Sequence, residues 1–157
     1  MLRTGACAII SVLSDYKREV LFMSKVAVVY YSGSGNTEAM ADVIVNALGA
    51  DKIEAEAFGA AKVADYDAIA FGCPAMGDEV LEETIFQPMW DDVKGSLAGK
   101  KVALFGSYGW GDGQWMRDWE ADAANNGVAL ACESVICNEA PDDEANAALE
   151  ALAKALA

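Results

Sequence analysis

The sequence predicts an α/β protein in three layers, α/β/α, built on one open, twisted, parallel sheet. Three observations carry this. Continuous apolar runs recur along the chain, the pattern of strands covered on both faces. Helical stretches ending near glycine alternate with those runs, as crossover connections require. At 157 residues the chain fills one full core and no more.

The elements follow in order. Residues 26–31 form an apolar first strand, and Asn36–Leu48 carries a helical pattern. Residues 52–58 alternate polar and apolar positions, which places a weaker strand at a sheet edge. Residues 68–71 and 102–105 read as buried strands, with helical patterns over 82–94 and 113–126. A fifth strand runs over 128–132 and resumes at 135–137, before a last helix over 142–156. Gly49, Gly95 and Gly127 stand where helix ends favour a left-handed residue. Pro141, Asp142, Asp143 and Glu144 make a strong helix start, with carboxylates at the positive end of the dipole. No repeat, low-complexity tract or interdomain linker interrupts this plan.

Residues 1–22 differ in character. The apolar stretch 7–13 is short, is followed by a charged segment, and lacks a convincing cleavage site. A second start stands at Met23, just before the first strand, and residues 17–20 back-translate to a purine-rich, ribosome-binding-like message. The expected physiological start is Met23, with residues 1–22 a non-native or disordered extension and one domain over 23–157, which N-terminal sequencing of the native protein checks.

Composition narrows the chemistry. Lys and Arg number 11 against 25 Asp and Glu, a net charge of −14. Such a surface repels nucleic acid and anionic lipid and suits partners with basic docking faces. No apolar run reaches the ~18 residues that suggest a membrane span. There is no histidine, which excludes His-based triads, His metal sites and the usual neutral-pH proton shuttle. The four cysteines form no CxxC pair and read as core residues of a reducing cytoplasm.

In a parallel sheet ligands bind at the carboxyl ends of the strands. Three loops there are unusual. Ser32-Gly33-Ser34-Gly35-Asn36-Thr37 joins the first strand to its helix, and its glycines let backbone N–H groups close around an anion. It lacks the lysine of a nucleoside-triphosphate loop, and Glu38 occupies the place of the third dinucleotide glycine. What remains is a terminal phosphate held by neutral donors, or a plain helix-capping turn. Gly72-Cys73-Pro74-Ala75-Met76-Gly77-Asp78-Glu79 follows the third strand, and its Gly-Asp pair suits a turn with positive φ. Ser107-Tyr108-Gly109-Trp110-Gly111-Asp112-Gly113 follows the fourth, with a tryptophan between glycines free to lie flat on a ring. Trp90, Trp115 and Trp119 read instead as packing. Singly, each loop is modest; together they suggest a phosphate clamp beside a slot for a flat ring.

These residues carry a resemblance. Residues 28–41, 72–79 and 104–113 resemble the phosphate and ring loops of flavodoxins, in the short-chain form of clostridial and other anaerobic bacteria. The resemblance implies a five-stranded sheet in the family's own order 2-1-3-4-5, with FMN at the switch point between the first and third strands. It implies a low-potential, one-electron carrier, not an enzyme, whose FMN shuttles between neutral semiquinone and anionic hydroquinone. Carried over, Ser32, Ser34, Asn36 and Thr37 hold the phosphate on a backbone shaped by Gly33 and Gly35. Met76 and Trp110 flank the isoalloxazine, and Glu79 accepts the flavin N3–H. Backbone amides of 77–79 and 109–111 line the polar edge, and Gly77 tolerates a flip that turns its carbonyl to N5. Pro74, Ala75, Asp78, Ser107, Tyr108 and Asp112 complete the expected contacts. Asp78, Glu79, Glu82, Glu83 and Asp112 are the carboxylates expected near the ring. Pro74 replaces a serine of some relatives, Tyr31 replaces a tryptophan, and the stretch before the third strand is shorter; these affect affinity and potential. The implied partners are ferredoxin-type oxidoreductases, hydrogenase and pyridine-nucleotide reductases, met by a cytoplasmic monomer. A quinone reductase of the same fold needs insertions for a second substrate, and a phospho-receiver needs aspartates where Ser32 and Cys73 stand.

Overall fold

The computed structural model describes residues 24–157, so the division proposed at Met23 lies outside them. Its strands are Val26–Tyr30 (β1), Asp51–Glu54 (β2), Ala68–Gly72 (β3), Lys101–Tyr108 (β4) and Val135–Asn138 (β5). All pair in parallel, in the expected order β2-β1-β3-β4-β5. The helices are Asn36–Leu48 (α1), Ala60–Val63 (α2), Phe86–Val93 (α3), Gln114–Asn125 (α4) and Asp143–Leu156 (α5).

The apolar runs are continuous because both sheet faces are covered. Ala27 and Val29 join one core with Trp90, Trp115 and Trp119 under α3 and α4. Val26, Val28 and Tyr30 join the other, with Met40, Ile44 and Leu149 under α1 and α5. The three tryptophans are therefore packing, as expected. Trp90 meets Trp119 edge-on at 5.6 Å between ring centroids, and its Nε1 donates to Asp122 Oδ2 at 2.7 Å.

Several element boundaries differ from the sequence expectation, and β4 runs on to Tyr108 instead of ending at Phe105 because β5 pairs with it there. The edge strand β2 stops at Glu54, because Ala55–Ala57 tighten into a 3-10 turn with Phe58 N–H donating to Ala55 O. Residues 128–132 make only an isolated bridge, Leu130 with Val102, and the strand proper is β5. Ala129 and Ala131 are exposed, and alanines at a sheet edge bury too little to hold a ladder. Helix α3 starts at Phe86 instead of residue 82, because the Glu82 side chain occupies its N-terminus. Gly49 and Gly127 are left-handed, with φ of 64° and 74°, but Gly95 lies in a 3-10 turn and the left-handed role passes to Gly99. Asp142 caps α5 as its position suggested, accepting Ala145 N–H at 2.8 Å.

Candidate functional site

The carboxyl ends of β1, β3 and β4 are adjacent, and the three unusual loops leave the sheet there side by side. In the first, Gly35 at φ 94° turns the chain into α1. Ser32 Oγ accepts the N–H groups of Gly35 at 3.1 Å and Glu38 at 3.2 Å, which folds the loop into a ring. The N–H groups of Gly33, Ser34 and Thr37 then have no acceptor among the described residues. Thr37 is 1% exposed; its Oγ1 accepts Ser107 N–H at 3.4 Å, leaving its own hydroxyl hydrogen to donate. The nearby Lys52 is engaged with Glu38 at 2.8 Å and Asp42 at 2.7 Å. The donor set is thus neutral and sits at a helix N-terminus. It fits a phosphate.

The second and third loops are joined by a continuation of the β3–β4 ladder. Cys73 N–H donates to Phe105 O at 3.1 Å and Ala75 N–H to Ser107 O at 3.0 Å. Trp115 Nε1 donates to Cys73 O at 3.1 Å. Gly106 is required here, since a Cβ would strike the Cys73 carbonyl. Met76 starts a turn in which Glu79 N–H donates to Met76 O at 2.8 Å and Met76 N–H to Val80 O at 2.9 Å. The positive φ of this turn falls on Glu79, at 52°, and not on the Gly77-Asp78 pair as the sequence suggested. A type I turn followed by one left-handed residue closes in this way. Pro74, Ala75 and Met76 are half-buried, while Gly77 and Asp78 are exposed.

Ser107, buried, and Tyr108, half-buried, are the last residues of β4 instead of loop residues, and beyond them Gly109, Gly111 and Asp112 are exposed. Trp110 is 61% exposed, the largest exposure of any big apolar side chain among the described residues, which leaves its ring free to cover a ligand. Glu79 reaches across from the second loop: its Oε1 accepts Asp112 N–H at 3.2 Å and its carboxylate fills the space a side chain at Gly111 would need.

One expected ring carboxylate is elsewhere. Glu82 is 5% exposed and turned into the start of α3, accepting N–H from Thr84 at 2.9 Å and from Ile85 and Phe86 at 2.8 Å, with the Thr84 hydroxyl as fourth donor. Burial pushes this carboxyl up, but the four hydrogen bonds outweigh it and hold the pKa at about 2. Burial also pushes up the thiols of Cys73 and Cys137, which are core residues as expected, and that of Cys132, which is only half-buried; Cys7 lies outside the described residues.

A fourth loop, after β5, was overlooked in the sequence. Glu139, at φ 58°, accepts the Ser107 hydroxyl on its carbonyl at 2.6 Å and donates N–H to Tyr108 O at 2.9 Å. Its signal was positional, since every β-to-α loop of such a sheet opens on this edge. A cavity of about 150 Å³ beside the first loop, walled by Tyr30, Tyr31, Glu54, Glu56 and Ile85, had no sequence signal.

A doubly wound parallel sheet with a neutral, glycine-rich donor loop and an exposed tryptophan at the edge of its switch point has the features of an FMN-binding electron-transfer domain. The Flavodoxin family profile matches residues 28–152. Flavodoxin of Megasphaera elsdenii is 47% identical over 137 residues, covering 83% of this chain and 99% of that protein. Flavodoxin of Clostridium beijerinckii is 43% identical over 121 residues, covering 74% of this chain and 88% of that protein. The solution structure of two-electron reduced Megasphaera elsdenii flavodoxin superposes with a TM-score of 0.74 at 43% identity, covering 82% of this chain and 98% of that one. The chain belongs to the flavodoxin family, as a short-chain member of the clostridial type. It is an FMN-dependent electron-transfer protein and not an enzyme.

Proposed function

We propose that this chain is a low-potential carrier of single electrons, working between the one-electron- and two-electron-reduced levels of a non-covalently held FMN. The observation that carries the reading is the set of N–H groups at Gly33, Ser34 and Thr37 with no acceptor among the described residues, on the same sheet edge as the exposed Trp110. Those N–H groups and the hydroxyls of Ser32, Ser34 and Thr37, with Asn36, hold the phosphate. Met76 and Trp110 cover the two faces of the ring, with Pro74, Ala75, Ser107, Tyr108 and Asp112 around it, and Glu79 accepts a ring N–H. The bound flavin supplies the one-electron redox chemistry. The protein supplies an acidic surround: Asp78 and Asp112 are exposed on the second and third loops, and Glu83 is exposed just before α3.

Two charges ~10 Å apart in water repel by roughly 0.4 kcal/mol, and about 1.4 kcal/mol corresponds to ~59 mV for a one-electron couple. Several carboxylates thus lower the second potential by tens of millivolts. Dithionite titration of the FMN-loaded protein should show two separate one-electron steps, the lower one moving upward with added salt. A single two-electron step would rule the carrier reading out. The proposed setting is a cytoplasmic monomer exchanging electrons with basic faces of ferredoxin-type oxidoreductases, hydrogenase or pyridine-nucleotide reductases.

Gly77 gives a second test. Its φ is not positive, and a Cβ there meets nothing within 4 Å. Gly77→Ala is therefore expected to leave unfolding midpoints unchanged. If the loop must flip when the ring gains its first electron, the yield of one-electron-reduced protein falls in Gly77→Ala and further in Gly77→Thr. Equal yields in all three proteins remove that role.

A further inference from the structure

We propose that Arg117 is a positioning residue: it clamps the third loop so that Asp112 N–H grips the Glu79 carboxylate, and this fixes the width of the slot. What the slot holds rests on the FMN reading above, but the brace consists of protein atoms alone.

Arg117 stands near the start of α4, which begins at Gln114. A cation there opposes the helix dipole, so the placement needs another reason. The guanidinium folds back over the helix start. Its Nη1 donates to Asp112 O at 3.1 Å, and its Nη2 donates to Asp112 Oδ1 and to Gln114 Oε1, both at 2.8 Å. Asp112 is thus held by its backbone and its side chain together. Its own N–H is left to meet Glu79 Oε1 at 3.2 Å. A chain of contacts therefore runs from α4 through the third loop to the turn of the second.

The segment needs such a clamp. Asp112 lies between Gly111 at φ 85° and Gly113 at φ 97°, and glycine on both sides gives its peptide wide freedom to rotate. Rotation would withdraw the N–H from Glu79 and release a carboxylate that now fills the space over Gly111. Arg117 is the only basic side chain hydrogen-bonded to any of the three loops among the described residues. The side chains of Arg117 and Asp112 are 51% and 79% exposed, and ion pairs so exposed add little to global stability. What they control is local. A lysine keeps the charge but lacks the planar fork that grips two acceptors of one residue.

The test compares the full chain with Arg117→Ala and Arg117→Lys. Amide exchange at Asp112 is read by NMR without FMN, and the FMN dissociation constant is read by fluorescence titration. In Arg117→Ala, Asp112 N–H should exchange about tenfold faster while amides of β3 and β4 keep their rates, the mark of local opening. The dissociation constant should rise about 3- to 10-fold, and Arg117→Lys should recover only part of each change. Unchanged exchange at Asp112 in Arg117→Ala overturns the clamp. So does acceleration of the sheet amides in step with Asp112, or a lysine variant matching the parent protein in both readouts. A parent protein that binds no FMN overturns the functional reading alone, with the exchange comparison still deciding the clamp.

Discussion

Replacing Gly111 with alanine is expected to weaken FMN binding by about 100-fold, ~2.7 kcal/mol at the constant relating affinity to free energy. Two effects add. At φ 85° an alanine costs roughly 1–2 kcal/mol in backbone strain, which the free loop sheds by turning away and which binding must then restore. Its Cβ would also overlap the Glu79 carboxylate, which must move and so lose the Asp112 N–H. That hydrogen bond to a charged group contributes about 1.5–3 kcal/mol when buried and less in this exposed setting. Gly127→Ala is the matched control: its φ is 74°, nothing lies within 4 Å of the added Cβ, and it is remote from the loops. Fluorescence titration should find FMN affinity unchanged in Gly127→Ala and about 100-fold weaker in Gly111→Ala. Equal affinities in the two variants would show that the space over Gly111 does not matter to the slot.

The second large effect is on stability and falls on Glu82. Glu82→Gln should lower the unfolding free energy at pH 7 by about 2–3 kcal/mol, because it removes the charge that draws three backbone N–H groups and a hydroxyl together at the start of α3. The folded pKa, about 2, lies below the ordinary 4.5. The ionised carboxylate therefore stabilises the fold fully above about 4.5, and the contribution drains away as pH falls through about 2. Urea unfolding at several pH values should show the gap between the parent protein and Glu82→Gln narrowing over that window. A gap that stays constant from pH 7 to 3 would mean that the side chain acts by shape and not by charge. Because the Met76–Val80 turn ends two residues before Glu82, loosening the start of α3 should also raise amide exchange at Met76 and Glu79.

Much of this was legible in the linear chain. The apolar runs and the Asn36–Leu48 helix follow from local periodicity, and the phosphate cradle follows from residues contiguous in sequence. Contacts within six residues need no knowledge of the sheet: the Ser32 hydroxyl gathering Gly35 and Glu38 N–H is of this kind. The 128–132 run was misread because a strand is defined by its partner, and β4 offers that partner at 105–108, opposite Val135–Asn138. Glu82 was misread because an acidic residue has the same signature on a surface and at a buried helix start.

Sequence alone therefore determined the layer architecture, the neutral donor set of the first loop and the family, since each is written in residues close along the chain. Tertiary structure decided which carboxylate faces the slot and which is buried, where the left-handed strain falls, and that Arg117 reaches Asp112 and, through it, Glu79. The reason is physical: a charged side chain's role is set by the donors that surround it, and donors from distant segments meet only when the sheet aligns its strand ends.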